Sequence, residues 1–184
     1  MKIYTRNGDD GTTGLFYGGR VMKDSDHPCA YGDVDEAQAA IGWARSQVER
    51  GSDIDRILVH ILRDLWVLMA ELATLPENRD KLEIGVSLVT NAMVEDLEKY
   101  IDTTSEKFSA PKEFVLPGQN PTAAALDIAR TVVRRAERST LKIQEESSFA
   151  GPYLNRLSDL MWVLARWQDQ GSLPAREIEI DTEV

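Results

Sequence analysis

Apolar residues recur at helical spacing through most of residues 33–171. The broadest apolar stripe begins after Asp53 and ends before Pro76, and its width predicts a central bundle helix. Its positions are Ile54, Ile57, Leu58, Ile61, Leu62, Leu65, Leu68, Met69 and Leu72. Short segments separate most of the helical patterns, which favours antiparallel neighbours. The pattern therefore predicts an all-α fold, an up-and-down five-helix bundle.

Two further helices lie on either side of this central one. Asp33 is expected to be the N-cap of the first, because Glu36 occupies the capping-box position three residues later. That helix is expected to end at Gly51, and Asp53 is expected to cap the second. A third helix is expected over residues 81–101. Its predicted inner face is Leu82, Val86, Val89, Met93 and Leu97.

A polar break follows the third helix, because residues 102–120 are rich in Ser, Thr, Pro and Gly. This predicts a long loop that carries the apolar segment 114–116, and loops of such length are usually functional or mobile. A fourth helix is expected from Pro121 to about residue 144, and a fifth over residues 152–171. Residues 176–180 alternate like a strand, but a short terminal segment is expected to fray or extend along the surface.

Composition predicts a single domain over residues 1–184, with an N-terminal loop (1–27), a helical bundle (33–171) and a C-terminal tail (172–184). With 42% apolar residues in 184, the chain has enough apolar surface for a core. Cys29 is the only cysteine, so no internal disulfide is possible and a cytoplasmic location is expected. The chain shows no signal-peptide pattern, and no apolar run approaches the roughly 18 residues of a transmembrane helix. The net charge of −10 argues against general nucleic-acid binding.

The N-terminal loop has a composition suited to an anion. Residues 5–14 contain three glycines and three threonines, and Arg6, Arg20 and Lys23 add positive charge nearby. Glycines let successive backbone N–H groups turn toward one point, and hydroxyl groups add donors. A nucleoside triphosphate is the candidate ligand. The alternative is a poorly ordered polar arm.

The fourth predicted helix carries four arginines within an acidic protein. At about 100° per residue, Arg130, Arg134, Glu137 and Arg138 share one face of it. The opposite face is Leu126, Ala129, Val133 and Ala136. Arginine binds phosphate oxygens in a bidentate manner and stays charged, as a polyphosphate site requires. The alternative is a solvated face on which Glu137 pairs with its neighbours.

The fifth predicted helix has a polar stripe that is expected to face a cleft. It consists of Asn155, Asp159, Trp162 and Arg166, opposite Leu154, Leu157, Met161 and Leu164. Trp162 is equally consistent with an interface and with a ligand contact. Two distant histidines and one cysteine form neither a zinc site nor a nucleophile pair. Catalysis by this chain would therefore depend on positioning and charge.

Several separated motifs, in order and in register, resemble the PduO-type ATP:cob(I)alamin adenosyltransferases over nearly the whole chain. The motifs are Thr5-Arg6-Asn7-Gly8-Asp9, Gly11-Thr12-Thr13-Gly14, Gly18-Gly19-Arg20, Lys23-Asp24, Tyr31-Gly32-Asp33-Val34-Asp35-Glu36, Phe114-Val115-Leu116-Pro117-Gly118, Ala129-Arg130, Arg134-Arg135-Ala136-Glu137-Arg138 and Tyr153-Leu154-Asn155-Arg156-Leu157-Ser158-Asp159. Such a set is far more specific than one glycine-rich loop.

The resemblance implies a homotrimer whose active sites lie between subunits and bind ATP and a reduced corrinoid. Cob(I)alamin would attack the 5′-carbon of ATP, forming adenosylcobalamin and expelling triphosphate. The nucleophile is then the cobalt of a substrate, which fits the lack of a catalytic histidine or cysteine. Arginines, the glycine-rich loop, Lys23 and Mg²⁺ would stabilise the leaving group. The implied protein partners are a corrinoid reductase and an adenosylcobalamin-dependent acceptor enzyme.

The resemblance also implies residue roles, although it leaves the metal ligands unknown. ATP would be lined from one subunit by Thr5, Arg6, Asn7, Gly8, Thr13, Gly14 and Lys23. The neighbouring subunit would supply Arg134, Arg135, Glu137, Arg138 and Asn155. Asp35 is expected to pair with Arg130 across the subunit boundary, although it is also suited to the dipole at a helix start. Phe114 is expected to crowd the lower face of the corrin and displace the lower axial ligand of cobalt. The expected catalytic residues are therefore Asp35, Arg130, Arg134 and Phe114.

The chain departs from the family pattern at a few positions. Asn7 stands where threonine is usual, Gln119 and Asn120 where glycine and serine are common, and Asp127 where histidine is frequent. Changes at residues 7 and 119 favour one rival interpretation, a catalytically silent corrinoid or nucleotide carrier. The second rival is an oligomeric helical scaffold. Because the arginine cluster, Asp35 and Phe114 are all present, activity is expected.

Overall fold

The computed structural model describes residues 2–169 and 171–176. In this part of the chain there are five α-helices: α1 (Asp26–Arg45), α2 (Asp53–Leu72), α3 (Asn91–Ser105), α4 (Pro121–Thr140) and α5 (Ala150–Asp169). A short 3₁₀ helix spans Pro76–Lys81, and the strands are β1 (Thr12–Gly14), β2 (Arg20–Met22), β3 (Val115–Leu116) and β4 (Leu173–Pro174). The mostly helical fold predicted from periodicity is confirmed.

The core lies between the helices, with α4 packed against both α1 and α5, α2 against α1, and α3 against α5. The predicted apolar stripes form it. Leu58 and Leu65 of α2, Leu126 of α4 and Leu157 of α5 are fully buried. Leu62 and Met69, at the margin of the α2 stripe, are half-buried against the core. Burial of these side chains is the main force that assembles the bundle.

The predicted start of the first helix is wrong. The helix α1 begins at Asp26, after Ser25, so Asp33 lies inside it. Asp33 and Glu36 have capping-box spacing, but their carboxylates face α4. The Asp33 Oδ1 atom is 3.4 Å from the Arg135 Nε atom, and Glu36 is hydrogen-bonded to the Arg135 guanidinium. A pairing between two helices therefore mimics a local capping signal. In α2 the cap is Ser52, whose hydroxyl accepts from the Asp55 N–H at 3.3 Å, rather than Asp53.

The third helix starts later than predicted. It begins at Asn91, where the Thr90 hydroxyl accepts from the Met93 N–H at 3.3 Å, and it continues to Ser105. Residues 82–90 form a loop, in which Val86, predicted to be buried, is 66% exposed. The buried Glu71 carboxylate holds this loop by accepting from the Val89 N–H at 2.8 Å. A buried charge with its own hydrogen bonds thus overrides the apolar periodicity.

The predicted long loop lies over residues 106–120, after the end of α3. Its strand β3 pairs antiparallel with β4, and the Ala175 N–H donates to the Phe114 carbonyl at 2.8 Å. The loop is thereby attached to the segment that follows α5. Helix α4 ends at Thr140, short of the predicted residue 144. In the predicted tail strand 176–180, residues 177–180 lie outside the described residues.

Candidate active site

The N-terminal loop forms a hairpin, and the cationic side chains of Arg20 and Lys23 are hydrogen-bonded to it. Strands β1 and β2 pair antiparallel, with Gly14 opposite Arg20. The Arg20 guanidinium donates to the Asn7 carbonyl and to the Thr12 hydroxyl, and the Lys23 Nζ atom donates to the Gly8 carbonyl at 2.7 Å. The expected ATP-binding residues of this segment are therefore in one hydrogen-bonded unit rather than in a loose arm.

Gly19 is required by the conformation and packing of this hairpin, and Gly8 is closely packed in it. A Cβ atom at Gly8 would lie 3.0 Å from the Lys23 Nζ atom. Gly19 has a φ of +93°, and a Cβ atom there would lie 2.7 Å from the Leu75 side chain, just after α2. The Phe16 N–H donates to the Ala73 carbonyl at 2.9 Å. The hairpin is thus attached by its backbone to the end of α2.

Asp10 lies in the same hairpin and acts as an ionised acceptor. The backbone N–H of Thr12 lowers the pKa of Asp10 most, and the Thr12 hydroxyl and the charge of Arg20 lower it further. Asp10 therefore remains a carboxylate that orients Thr12 and Arg20, and it is unsuited to proton donation near neutral pH.

The arginines of α4 divide into two groups. Arg134 and Arg138 are exposed, and within the described part of the chain neither forms an ion pair with a carboxylate. The Arg138 Nη1 atom donates to the Arg134 carbonyl at 3.0 Å. Arg135 instead pairs with Asp33 and Glu36 of α1, and the hydrogen bond to Glu36 raises the pKa of Arg135. Among the described residues, Arg134 and Arg138 are therefore the exposed arginines of α4 that lack a carboxylate partner.

Glu137 and Asn155 join the exposed side of α4 to α5. The Asn155 Nδ2 atom donates to the Glu137 Oε1 atom at 3.1 Å, and Asn155 accepts from the Arg156 Nη1 atom at 2.8 Å. This contact brings together two residues that the sequence separates by a helical connection. It agrees with their expected membership of one site.

No hydrogen bond or ion pair joins the N-terminal loop to Arg134, Arg135 or Arg138 within residues 2–169 and 171–176. The expected pair of Asp35 and Arg130 is also not formed within one chain. Asp35 is exposed on α1, and the Arg130 Nε atom instead donates to Asp127 of its own chain at 3.1 Å. Within the described residues of one chain, therefore, neither the two expected halves of the ATP site nor the two members of this expected ion pair contact each other through a hydrogen bond or ion pair.

A cavity of about 650 Å³ lies beside the Phe114 loop. Phe114, Arg130, Trp162 and Arg166 are among its lining residues, and Phe114 is 88% exposed. An apolar ring so exposed at the edge of a cavity is suited to cover the apolar face of a bound ligand. The expected corrin-crowding residue therefore adjoins an opening large enough for part of a large planar ligand.

Arg166 corrects the prediction of a polar stripe on α5. Its side chain is only 3% exposed and is held between two carboxylates. The Arg166 Nη2 atom lies 2.6 Å from the Asp127 Oδ2 atom, and the Arg166 Nε atom lies 2.7 Å from the Asp169 Oδ2 atom. Burial raises the pKa of Asp169, while Arg166 acts in the opposite direction. The spacing of Arg166 and Asp169 on α5 was the available signal for this pair, and sequence reasoning missed it.

Comparison with known proteins identifies the family to which this chain belongs. The model of the cobalamin adenosyltransferase family matches residues 3–168. The chain belongs to the cobalamin adenosyltransferase family. The predicted family is thus confirmed.

Named members of the family are similar over nearly the whole length. A corrinoid adenosyltransferase of Mycobacterium tuberculosis is 42% identical over 171 residues, which cover 90% of this chain and 87% of the relative. The corrinoid adenosyltransferase PduO of Citrobacter freundii is 36% identical over 177 residues, covering 92% of this chain and 50% of the relative. A phenylalanine-to-histidine variant of the PduO-type ATP:corrinoid adenosyltransferase of Lactobacillus reuteri, complexed with cobalamin and ATP, superimposes with a TM-score of 0.84 at 29% identity, over 96% of this chain and 97% of that one.

Three of the four expected departures from the family pattern, at residues 7, 120 and 127, have defined places in this cobalamin adenosyltransferase. Asn7 contributes its carbonyl to Arg20, a contact that any side chain at this position permits. Asn120 caps α4 by accepting from the Ala123 N–H at 2.9 Å, and its amide donates to the Gln168 carbonyl at 2.6 Å. Asp127 is buried between two arginines. Two of these departures therefore have structural roles, and none removes an expected site residue.

Protein ligands for a cation do not cluster in the described part of this family member, where no three His, Cys, Asp or Glu side chains converge. In the same residues, no helix has the combination of length and apolar character that crossing a bilayer requires.

Proposed function

We propose that this cobalamin adenosyltransferase transfers the 5′-deoxyadenosyl group of ATP to cob(I)alamin, at sites formed between the subunits of a homotrimer. The observation that supports a shared site is that, within the described residues of one chain, no hydrogen bond or ion pair joins the N-terminal hairpin to the exposed Arg134 and Arg138. Both surfaces are suited to a polyphosphate, and a second copy can bring one to the other. ATP and cobalamin bound together in the similar Lactobacillus reuteri protein support the choice of substrates.

In this proposal the hairpin of one subunit holds ATP through backbone donors and side chains. The residues are Thr5, Arg6, Asn7, Gly8, Thr13, Gly14 and Lys23. Arg20 and Lys23 already lie over the glycine-rich turn, so the loop loses little conformational entropy when ATP binds.

The neighbouring subunit completes the ATP site through α4 and α5. Arg134 and Arg138 bind phosphate oxygens directly, and Glu137 and Asn155 form the polar wall that their mutual hydrogen bond aligns. Because Asp33 and Glu36 hold the Arg135 guanidinium, Arg135 contributes positive potential to the site rather than a direct bidentate contact with phosphate. Asp35 pairs with Arg130 of the neighbour and places the corrinoid cavity beside the adenosine end of ATP.

The corrinoid occupies the cavity beside Phe114, with the phenyl ring against its lower face. Crowding by this ring displaces the lower axial ligand of cobalt, and the four-coordinate cobalt is easier to reduce. The pairing of β3 with β4 restricts the loop, so the ring is held near the cavity. A protein reductase supplies the electron, and an adenosylcobalamin-dependent enzyme accepts the product. We propose that all of these steps occur in the cytoplasm.

The reaction is a displacement at the 5′-carbon of ATP. A cobalt–carbon bond forms with the electron pair of cob(I)alamin, the carbon–oxygen bond to the α-phosphate breaks, and its electron pair leaves with triphosphate. Charge grows on the leaving group, so guanidinium groups directed at the phosphates stabilise the transition state more than the ground state. Mg²⁺ bound to the phosphates would add to the same stabilisation.

The test is an anaerobic assay with cob(I)alamin and MgATP, followed by the absorbance of adenosylcobalamin and by triphosphate release. Adenosylcobalamin and triphosphate are expected to form in equal amounts. Light scattering is expected to show that the active protein is an assembly of three chains. Arg134→Ala is expected to lower turnover by about 100-fold, as loss of a charge-stabilising donor does. The matched control is Arg63→Ala, which removes an exposed arginine of α2.

The rival functions give different results in the same assay. A folded trimer that binds MgATP and corrinoid without forming product would be a silent carrier. A protein that binds neither ligand would be a scaffold. A monomer with full activity would refute the shared site while leaving the activity intact.

A further inference from the structure

Asp127 lies between two arginines on the wall of the corrinoid cavity. Its Oδ1 atom accepts from the Arg130 Nε atom at 3.1 Å, and its Oδ2 atom accepts from the Arg166 Nη2 atom at 2.6 Å. Asp169 binds the other side of Arg166. The four side chains carry two positive and two negative charges, and they connect α4 to the end of α5.

Burial differs strongly along this chain of charges. The side chains of Arg166 and Asp127 are 3% and 9% exposed, whereas that of Arg130 is 31% exposed. An unpaired charge is costly in the buried part and tolerable in the exposed part. The buried Arg166, which is itself paired with Asp169, therefore fixes the Asp127 carboxylate, and that carboxylate in turn holds the more exposed Arg130.

The hydrogen bond to Asp127 uses the Arg130 Nε atom and is the only one found for this side chain in the described residues. Arg130 also lines the cavity with Phe114 and Trp162. Holding the Nε atom sets the plane of the guanidinium group while its terminal nitrogens are not used for the contact. An arginine held in this way is pre-organised for a bidentate contact beyond its own chain.

We propose that Asp127 is a positioning residue, which, braced by Arg166 and Asp169, orients the Arg130 guanidinium for turnover. The inference rests on the proposed function, in which Arg130 acts at the subunit boundary. An ionised carboxylate has a negative charge and two acceptor oxygens, so Asp127 can accept from two guanidinium groups at once. The simultaneous contact with Arg130 and Arg166 therefore depends on the Asp127 carboxylate.

The variant Asp127→Asn separates the two contacts of the carboxylate. An asparagine side chain has one acceptor oxygen, and its amide group repels a guanidinium donor. Because Arg166 is almost fully buried, the oxygen is expected to remain with Arg166. Arg130 then loses its anchor while the interior keeps its contact.

The test is a double-mutant cycle with Asp127→Asn and Arg130→Ala, measured as kcat and as KM for ATP. Asp127→Asn alone is expected to lower kcat by about 10-fold, as misorientation of a charged group does, with KM changed less than about twofold. In the Arg130→Ala background the same change is expected to have almost no effect on kcat, because the group it positions is absent. Independent, multiplying effects of the two changes would overturn the proposal.

The matched control is Asp55→Asn, which alters another buried aspartate–arginine pair, with the Arg45 Nε atom at 2.7 Å. It is expected to lower thermal stability without changing kcat. An equal loss of kcat in the control would show a general effect of destabilisation and would remove the support for positioning.

A second measurement is made on the unaltered protein. In the ¹H–¹⁵N spectrum of the intact assembly, the Nε–H proton of Arg130 is expected to exchange with water at least about 10-fold more slowly than that of the exposed Arg134, as a held donor does. Loss of one signal in Arg130→Lys assigns it. Equal exchange rates would overturn the proposal. Failure of the unaltered protein to form adenosylcobalamin would instead refute the proposed function.

Discussion

Replacing Phe114 by alanine tests the corrinoid half of the site, because the ring contributes almost nothing to folding. Phe114 is 88% exposed, so its removal is expected to change the free energy of unfolding by less than about 0.5 kcal/mol. When a corrin face covers the ring, the apolar area of the side chain becomes buried. Burial of a phenylalanine side chain contributes about 2 kcal/mol.

This energy is available to offset the loss of the lower axial ligand of cobalt. Since about 1.4 kcal/mol corresponds to a tenfold change in an equilibrium constant, Phe114→Ala is expected to lower the ratio of the four-coordinate fraction to the five-coordinate fraction of bound cob(II)alamin by roughly 30-fold. Absorption and electron paramagnetic resonance spectra of the complex with MgATP measure that ratio. Calorimetric titration measures the affinity for ATP, which is expected to stay unchanged.

The matched control is Ile84→Ala, which removes another apolar side chain, 78% exposed, from the loop after α2. It is expected to alter neither the corrinoid spectrum nor the affinity for ATP. An equal fall in ATP affinity in Phe114→Ala would refute the placement of Phe114 at the corrin. A four-coordinate fraction equal to that of the unaltered protein would refute the crowding mechanism itself.

Three other changes test the assembly and the interior. Asp35→Ala is expected to lower kcat by about 10-fold, because the neighbour's Arg130 loses its carboxylate partner, and to leave the circular dichroism spectrum unchanged. An unaltered kcat would contradict the pairing. Glu71→Gln is expected to lower the free energy of unfolding in urea by about 2 kcal/mol, because the Arg79 Nη2 atom, 2.9 Å from Glu71, loses its charged partner; an unchanged midpoint would contradict this. Burial raises the pKa of Asp64, so its contribution to stability is complete below its unfolded value of about 4 and is lost as pH rises through the folded value. Asp64→Asn, in which the amide oxygen still accepts from Tyr153, is therefore expected to gain melting temperature relative to the unaltered protein between pH 4 and pH 8, and a constant difference would contradict the sign.

The helices and their inward faces were predictable where burial and periodicity agree. Leu126, Ala129, Val133 and Ala136 lie on one face of α4 by spacing alone, and all four are fully buried. The predicted Pro121 start of α4 is also observed. Each of these depends on contacts within one or two turns, which is the range over which a sequence pattern carries information.

Boundaries failed where a side chain had a distant partner. Asp33 has the local signature of an N-cap, but its carboxylate pairs with Arg135 and Ser139 of α4. The loop before α3 follows from Glu71, whose carboxylate accepts a backbone hydrogen bond 18 positions along the chain. Local propensity cannot anticipate such pairs, because their energy exists only after the helices have packed.

The features of the candidate site divide in the same way, into those that follow from local motifs and those that depend on contacts between distant residues. The family, the activity and both substrates followed from the order and spacing of motifs, and the family is confirmed by the match over residues 3–168. The individual roles of the ATP-binding residues remain predictions. Arg166 was assigned to a polar stripe that faces a cleft, and its burial between Asp127 and Asp169 was not foreseen.

By itself, the sequence determined the class of fold, the buried faces of the helices and the family, because these depend on periodicity and on motifs that are local in the chain. The packing of the helices, by contrast, determines which arginines are held by carboxylates and which stay exposed. Arg135 and Arg166 pair with carboxylates of α1, α4 or α5, whereas Arg134 and Arg138 remain exposed. The reason is physical: a guanidinium group keeps its charge everywhere, and packing alone determines whether a carboxylate of the same chain neutralises that charge.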